Sequence, residues 1–508
     1  MIQRLFIVIS KSLATAFPPA RGGVAEARLF SRVGGLGGRE ALEITMNKRW
    51  IIPISLLALS AGCATNAKPD PLSDRIHADG GEPVAYRDIT DAERRPDVDL
   101  PADARLDDFI AAALAHNPRI AAARFELQRQ TEQVTIASSL DDPMLEIAPM
   151  GRAWHGNVDE VMVSVHQTIP FPGKRAARGD IARTQVAVAA AQLQQTRLDV
   201  AADVRRAYWS LHRTRQALEI RRRTQQLLEQ FQASAQANFR AGNASQQDVL
   251  RAAVELSELD RDVADLQQQR DSAIAMLNTL MNRDPDAPLP DIAPAEPIAL
   301  ELRTQELLEI AWQSNPAIHQ AHQRIEAARL EQKLASLDRR PDFTIGLGYN
   351  FVENSMDGMS ADDEWTLSLG INLPIWFDKL RAAERAASFA RSAAIAELAA
   401  ERNDITFRIH DAVARIRSQQ SQIALLRDRI LPEARQTVEA GAAAYRAGRG
   451  SFIELLDNWR TLLAFELMHD DNLATLEQAL ADLEQIVGQP IRDTAHSSIP
   501  VAQPTEQP

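Results

Sequence analysis

This 508-residue sequence contains an internal duplication with an offset of about 200 residues, which limits the folds it can adopt. Three landmarks recur in the same order: an Asn-Pro pair, an aliphatic residue followed by Pro, and an aromatic-Arg-Ala-Gly turn. The paired copies are Asn117-Pro118 with Asn315-Pro316, Ile169-Pro170 with Leu373-Pro374, and Phe239-Arg240-Ala241-Gly242 with Tyr445-Arg446-Ala447-Gly448. Solenoid repeats have much shorter periods, roughly 20 to 50 residues. The long offset therefore predicts two copies of one large unit in a single pseudo-symmetric structure.

The duplication and the local composition divide the chain into seven predicted segments. Five prolines among the fourteen residues 284–297 indicate a linker between the copies. Prolines and aspartates ahead of the first copy are typical of an extended tether. The segments are an N-terminal extension ahead of the expected initiator Met46 (1–45), a lipoprotein-type signal peptide (46–62), the tether (63–104), repeat 1 (105–283), the linker (284–300), repeat 2 (301–490) and a disordered tail (491–508).

The only cysteine, Cys63, follows a segment that resembles a bacterial lipoprotein signal. Residues 46–49 are positively charged at two positions, residues 50–59 are apolar, and Ser60-Ala61-Gly62 are small. The apolar run is too short to span a bilayer, which requires about 20 residues. Ser60 stands where such cleavage sites usually have Leu. We expect Cys63 to carry lipid, and the alternative is an incidental cysteine after an ordinary signal peptide.

Each copy has the same predicted order of helix, two strands, long helix, tight turn and return helix. Gly and Pro number only 22 and 26, while helix-forming Ala, Gln, Leu, Arg and Glu dominate, so long uninterrupted helices are expected. The predicted helices are 118–139, 176–238 and 246–282 in repeat 1, and 316–338, 379–446 and 452–487 in repeat 2. Two shorter helices laid end to end match one long helix, on the order of 100 Å at 1.5 Å per residue. Pro432 should interrupt the long helix of repeat 2.

The strand segments alternate apolar and polar or small residues. Val161, Val163 and Val165 lie on one face of the first clear strand, and a weaker strand surrounds Leu145 and Ile147. The strands of repeat 2 alternate in the same way, with apolar residues at 345, 347 and 349 and at 365, 367, 369, 371 and 373. This pattern is typical of transmembrane barrel strands, although strands of a soluble sandwich also alternate.

Four strands are too few to close a barrel. An open sheet edge cannot lie in lipid because its N–H and C=O groups would have no partners. Other copies of the chain must therefore complete the barrel, and three copies give twelve strands, which is within the known range. The predicted fold class is mainly α with a small β part, as a trimeric twelve-stranded barrel continued by a long helical barrel.

Composition and motifs exclude several functions. The net charge of −13 argues against a nucleic-acid partner, and one cysteine excludes a disulfide framework. No catalytic constellation occurs, so we predict neither enzymatic activity nor a cofactor, and no metal site. Soft side chains along a pore would suit copper or silver, but such residues more often only fill space. The candidates are Met162, His166, Met356 and Met359, with His319 and His322 expected to be structural or solvated.

The doubled motifs together resemble the TolC-like outer-membrane factor family, the exit ducts of tripartite efflux pumps and type I secretion. The resemblance covers residues 105–490 and rests on the two Asn-Pro pairs, on Gln167 to Lys174 at the end of a strand, and on the two tip turns. Asp141-Asp142-Pro143-Met144 and Pro170-Phe171-Pro172-Gly173-Lys174 look more like the heavy-metal-efflux branch than the drug branch.

The resemblance implies a homotrimer in the outer membrane of a Gram-negative bacterium, with a helical tunnel through the periplasm. The partners would be a periplasmic adaptor, an inner-membrane pump of RND type, and outer-membrane lipid around the barrel and on Cys63. The channel would export substrate passively, and heavy-metal cations are one candidate cargo. The alternatives are a multidrug efflux or type I secretion duct, and a periplasmic coiled-coil scaffold lipoprotein without a pore.

The resemblance also implies a periplasmic gate at the helix tips. Glu454 and Asp457 match acids that ring the closed aperture in the family, and carboxylate rings concentrate cations. Tyr445 matches an aromatic hydroxyl that could bond Asp248, whereas Arg449 lies one position earlier than the family's latch arginine. The tip turns that would dock the adaptor contain Gly242, Ser245, Gly448 and Ser451. The alternative is that these acids are ordinary solvated residues that favour a helix N-terminus.

Overall fold

The computed structural model describes residues 98, 100–150, 160–242, 245–290, 302–352, 364–447 and 449–491. These residues belong to the second of the chain's two units, which comprises Gly81–Pro508. The predictions for the N-terminal extension, the signal peptide, Cys63, most of the tether and the C-terminal tail lie outside the described residues. Gly448, Met356 and Met359 lie outside them as well.

Both copies have the predicted order of elements. Repeat 1 contains α1 (Leu106–His116), α2 (Pro118–Ser138), β1 (Met144–Met150), β2 (Glu160–Ile169), α3 (Lys174–Arg240) and α4 (Gln246–Leu280). Repeat 2 contains α5 (Thr304–Ser314), α6 (Pro316–Leu337), β3 (Phe343–Val352), β4 (Glu364–Ile371), α7 (Phe377–Leu425), α8 (Leu431–Arg446) and α9 (Phe452–Val487). The prediction missed the two 11-residue helices α1 and α5.

The Asn-Pro landmarks join the shorter helices end to end. Pro occupies the first position of α2 and of α6, where its missing N–H is harmless. The Asn117 side chain accepts a hydrogen bond from Arg119 N (2.9 Å) and donates one to Leu280 O (2.8 Å). Asn315 accepts from Ala317 N (2.7 Å) and donates to Ile486 O (2.6 Å). Each asparagine therefore caps one helix and satisfies a carbonyl at the end of another.

Pro432 interrupts the long helix of repeat 2 as predicted. A π-helical turn, Leu426–Ile430, joins α7 to α8, and Pro432 is the second residue of α8. Proline cannot donate a hydrogen bond to the carbonyl four residues earlier, and its ring crowds that carbonyl. The wider turn accommodates the lost bond, which is a recognised cause of helix distortion.

The four strands form one antiparallel sheet in the order β1-β2-β3-β4. The register aligns apolar residues in rows across the sheet, for example Leu145, Val165, Leu347 and Leu367. The neighbouring row on the other face is polar or small, with Glu146, Ser164, Gly348 and Thr366. The predicted alternation is confirmed, with Gln167 as a polar residue on the apolar face and Met144 and Met162 on the polar face.

Three apolar clusters hold the helices together. One cluster packs α1 and α2 against α3 and α4, and a second packs α5 and α6 against α7 and α9. The third lies at the helix tips and contains side chains of α3, α4, α8 and α9. Helix α3 has 67 residues, or about 100 Å at 1.5 Å per residue, and it contacts α2, α4, α6 and α9. Helices of both repeats therefore pack against α3.

Candidate functional site

The tip of repeat 1 is a tight turn closed by a capping box. Gly242 has φ of +75°, in the left-handed region that favours glycine. Ser245 caps α4 by accepting a hydrogen bond from Asp248 N (3.3 Å), and Asp248 Oδ2 accepts one from Ser245 N (3.3 Å). Because Asp248 stabilises the start of its own helix, its carboxylate has a local structural role.

The tip of repeat 2 places Tyr445 in the interior. Its ring packs against Phe452 with centroids 5.5 Å apart, and its hydroxyl is buried. Burial raises the pKa of the Tyr445 phenol above its ordinary value. The described residues show no bond between Tyr445 and Asp248, and Asp248 Oδ2 accepts its hydrogen bond from Ser245 N.

The remaining predicted gate residues lie on the surface of the repeat 2 tip. Ser451 caps α9 by accepting a hydrogen bond from Ile453 N (3.2 Å). Glu454 and Asp457 are exposed and lie three residues apart on one face of α9, whereas Leu455 and Leu456 point into the apolar cluster. Arg449 is also exposed. These carboxylates are accessible to a partner or to neighbouring copies of the chain.

Sequence reasoning missed an ion pair that joins the two repeats at the tips. Glu255 on α4 is buried, and Arg460 on α9 donates from Nε to Glu255 Oε2 at 3.1 Å. A second contact joins Arg460 Nη2 to Glu255 Oε1, so the pair is bidentate. The two residues lie at nearly equivalent positions after Gly242 and Gly448 and have opposite charges, which is the one signal that could have suggested the pair.

Further ion pairs continue along the seam between α3 and α9. Arg205 and Glu484 are both largely buried and form a salt bridge. Arg206 Nη1 forms a salt bridge with Asp482 Oδ1, and Arg213 Nη1 lies 2.8 Å from Asp471 Oδ1. Because the members of each pair belong to different repeats, these pairs fix the register of one repeat against the other.

The Pro-Phe-Pro-Gly-Lys stretch forms a junction between the sheet and the helices in which Pro170 and Lys174 are buried. Gly173 has a left-handed backbone conformation at the start of α3. Lys174 Nζ donates hydrogen bonds to Asp342 Oδ1 (2.9 Å) and to Arg340 O (3.1 Å). Asp342 Oδ1 also accepts from Phe171 N (2.7 Å). Desolvation alone would raise the pKa of Asp342, but the bonds from Lys174 and Phe171 outweigh it and hold that pKa below its ordinary value.

Large apolar side chains are exposed on the sheet and on α7. Leu369 on β4 is 78% exposed, and Trp376 after that strand is 72% exposed. On α7, Phe389 and Phe407 are 73% and 68% exposed. Exposed apolar surface of this extent indicates an interaction site.

The described residues contain neither an apolar membrane-spanning helix nor a cluster of metal-ligating side chains. Among these residues no helix is both long and apolar enough to cross a membrane. No group of three or more His, Cys, Asp or Glu side chains within the described ranges converges in a way that could hold a metal ion. His319, one of the two helical histidines, instead bonds the carbonyl of Gln313 at 2.8 Å.

Comparison with known proteins identifies the family that has these duplicated helices and this four-stranded sheet. Residues 109–283 and 307–489 match the family model described as outer membrane efflux protein. The chain belongs to this family. The two matched ranges correspond to the two repeats, and the family and fold are those of channels rather than of enzymes.

One relative and two solved structures indicate the range of similar proteins. The cobalt-zinc-cadmium resistance protein CzcC of Cupriavidus metallidurans is 24% identical over 395 residues, which is 75% of this chain and 90% of CzcC. The outer-membrane channel OprN has a TM-score of 0.65 at 19% identity, and the match covers 78% of this chain and 97% of OprN. CusC, whose structures concern transmembrane channel formation, has a TM-score of 0.65 at 17% identity. The match covers 78% of this chain and 99% of CusC.

These similarities confirm the predicted family and fold class. The mainly helical fold with a small antiparallel sheet is that of outer-membrane efflux channels, and membership of the family assigns the protein to efflux at the outer membrane. The segment boundaries, the gate residues and the heavy-metal branch stay predictions.

Proposed function

We propose that this protein is the outer-membrane exit channel of a tripartite efflux system and conducts substrate passively. Three copies form the channel, with the sheets in the outer membrane and the long helices in the periplasm. A periplasmic adaptor contacts the helix tips at Gly242, Ser245, Gly448 and Ser451, and an inner-membrane pump of RND type supplies the energy. Lipid on Cys63 anchors the chain to the membrane.

The observation that carries this proposal is the four-stranded sheet with one apolar face and two free edges. Strands β1 and β4 are the edges, and adjacent strands are antiparallel throughout. In a ring of copies, β4 of one chain would therefore run antiparallel to β1 of the next. Three copies give a closed barrel of twelve strands in which every backbone group has a partner, as a bilayer requires.

The exposed side chains support the same assembly. The apolar face of β4 suits lipid, and Trp376 lies where an aromatic residue would meet the membrane interface. Phe389 and Phe407 on α7 suit packing against a helix of a neighbouring copy. A periplasmic scaffold without a pore would leave the sheet without a role.

Heavy-metal cations are the cargo that the observations favour. The similarity to a cobalt-zinc-cadmium resistance protein extends over three quarters of this chain. The charged residues of the four strands are all glutamates, Glu146, Glu160 and Glu364, and the strands contain neither Lys nor Arg. Such a pore would concentrate cations. Drug efflux and protein secretion are the competing functions.

The helix tips form the proposed gate. Glu454 and Asp457 would ring the periplasmic aperture in a trimer, with Tyr445, Asp248 and Arg449 nearby. The Glu255–Arg460 pair and the apolar cluster around it hold the hairpin of repeat 1 against that of repeat 2. Engagement of the adaptor opens the tip by separating these hairpins.

A deletion strain tests the function and its cargo. We expect reduced growth on graded zinc, cobalt or cadmium and unchanged growth with hydrophobic drugs and detergents. Sensitivity to drugs alone would contradict the proposed metal cargo but would still agree with an efflux channel. The outer-membrane fraction should contain trimers that dissociate on heating, and a monomeric chain in the soluble periplasmic fraction would refute the channel itself.

A further inference from the structure

The polar face of the sheet contains a histidine and a carboxylate that approach each other. His166 Nε2 on β2 lies 3.5 Å from Glu146 Oε2 on β1, the neighbouring strand. Ser164 Oγ lies 2.9 Å from the same imidazole nitrogen. Register places all three side chains on the polar face, with Met144 directly opposite His166. One nitrogen and two oxygens are thus presented on one surface.

The position of the imidazole depends on a glycine. A Cβ atom added to Gly346 on β3 would collide with His166 Nδ1 and with Ser368 Oγ. The imidazole therefore occupies the space that a side chain at this position of β3 would need. This contact leaves Nε2 directed toward Glu146 and Ser164.

The separation of these atoms matches the coordination geometry of zinc. Zinc binds imidazole nitrogen and carboxylate oxygen at about 2.0–2.2 Å in tetrahedral geometry, so two such ligands lie about 3.4 Å apart. The observed 3.5 Å between His166 Nε2 and Glu146 Oε2 requires little movement. We propose that His166 and Glu146, with Ser164 beside them, form a binding site for a borderline divalent cation such as Zn²⁺ on the lumenal face of the barrel. This inference rests on the proposed channel, in which the polar face lines the pore.

An open site of this kind suits a conducting pore. No third His, Cys, Asp or Glu among the described residues joins the pair, so water would complete the coordination shell. Conduction requires a site that binds well enough to attract the ion and weakly enough to release it. Glu160, which accepts a hydrogen bond from Asn350 (3.1 Å) on the same face, adds negative charge without a neighbouring imidazole.

Zinc block of the reconstituted channel tests the site. Trimers of the full chain are placed in a planar bilayer in KCl, and ZnCl₂ is titrated while the current is recorded. Wild type should show reversible, saturable reduction of the current. His166→Ala and Glu146→Gln should each raise the half-blocking concentration by about tenfold or more, the scale expected for loss of a metal-site residue. Heat-dissociable trimers and discrete conductance steps in KCl for each variant establish that the barrel is intact.

Two matched variants separate coordination from general electrostatics. Glu160→Gln removes the same charge from the same face, and His322→Ala removes a histidine from the exposed surface of α6. His322→Ala should retain the wild-type half-blocking concentration, and Glu160→Gln should raise it only slightly, through the loss of one pore charge, and far less than Glu146→Gln does. Equal effects of Glu146→Gln and Glu160→Gln, or a conducting wild-type channel that zinc does not block, would overturn the site while the proposed channel stands. A chain that forms no pore would overturn both.

Discussion

Replacing Arg460 by Ala should favour opening of the helix tips. The substitution removes both hydrogen bonds to Glu255, which is buried between the hairpins of the two repeats. A carboxylate left without its partner is stabilised when the hairpins separate and water reaches it. The perturbation therefore destabilises the packed tip more than the separated one.

The magnitude follows from the burial of the two partners. Removing one member of a fully buried ion pair costs about 3–5 kcal/mol. The Arg460 side chain is 52% exposed, so solvent already screens the pair, and about 2 kcal/mol is the appropriate estimate. Since about 1.4 kcal/mol corresponds to a factor of ten, the ratio of open to closed tips should rise by about 30-fold.

Open probability in planar bilayers measures this ratio directly. Uptake of a large antibiotic that intact outer membrane excludes provides the cellular counterpart. Arg435→Ala is the matched control, because Arg435 pairs with Glu466 at 3.0 Å within the hairpin of repeat 2 and does not join the repeats. That control should conduct as wild type.

A double-mutant cycle decides whether the pair itself is responsible. Glu255→Ala, Arg460→Ala and the double variant should give effects on opening that are not additive, because each single substitution removes the same interaction. Additive effects, or equal opening in Arg435→Ala, would refute the assignment of the pair as a clamp between the repeats.

Three further predictions concern stability. Asn315→Ala should lower the free energy of unfolding by about 2 kcal/mol, because α6 loses its cap and the buried Ile486 carbonyl loses its donor; urea unfolding measures this loss, and an unchanged midpoint would contradict it. Asp342 has a lowered pKa, so its contribution is complete above its unfolded pKa of about 3.9 and is lost as pH falls below that value. As the pH is lowered from about 4 to about 2, the melting temperature should therefore fall more steeply in wild type than in Asp342→Asn. Parallel curves would show that the contact to Lys174 does not contribute to the pH dependence of stability. Gly242→Ala should destabilise the chain by about 1 kcal/mol through backbone strain alone, since nothing lies within 4 Å of an added Cβ; thermal melts that match wild type would contradict the strain.

Local sequence signals were enough to predict most elements. Proline at the start of α2 and α6 and serine before α9 mark helix starts that need only neighbouring residues. Alternation along β2 predicted its two faces because side-chain direction in a strand depends only on position. Pro432 predicted an interruption because proline has no N–H to donate within a helix. The π turn that accommodates this proline depends on the surrounding helices.

The elements that were missed depend on contacts between distant residues. Helices α1 and α5 have 11 residues each and are held by packing of Phe109 and Leu307 into clusters formed by other helices. The Glu255–Arg460 pair joins residues that are 205 positions apart. Lys174 and Asp342 meet across 168 positions, at a junction that exists only when the two repeats share one sheet. No local pattern encodes such pairings.

The reversal potential of the purified protein in a planar bilayer is the decisive measurement for a cation-conducting channel. We expect discrete conductance steps from trimers and, across a KCl gradient, a reversal potential displaced toward the potassium equilibrium potential, because the strands contain glutamate and neither lysine nor arginine. Absence of conductance from correctly assembled trimers, or a reversal potential displaced toward that of chloride, would contradict a cation-conducting efflux channel.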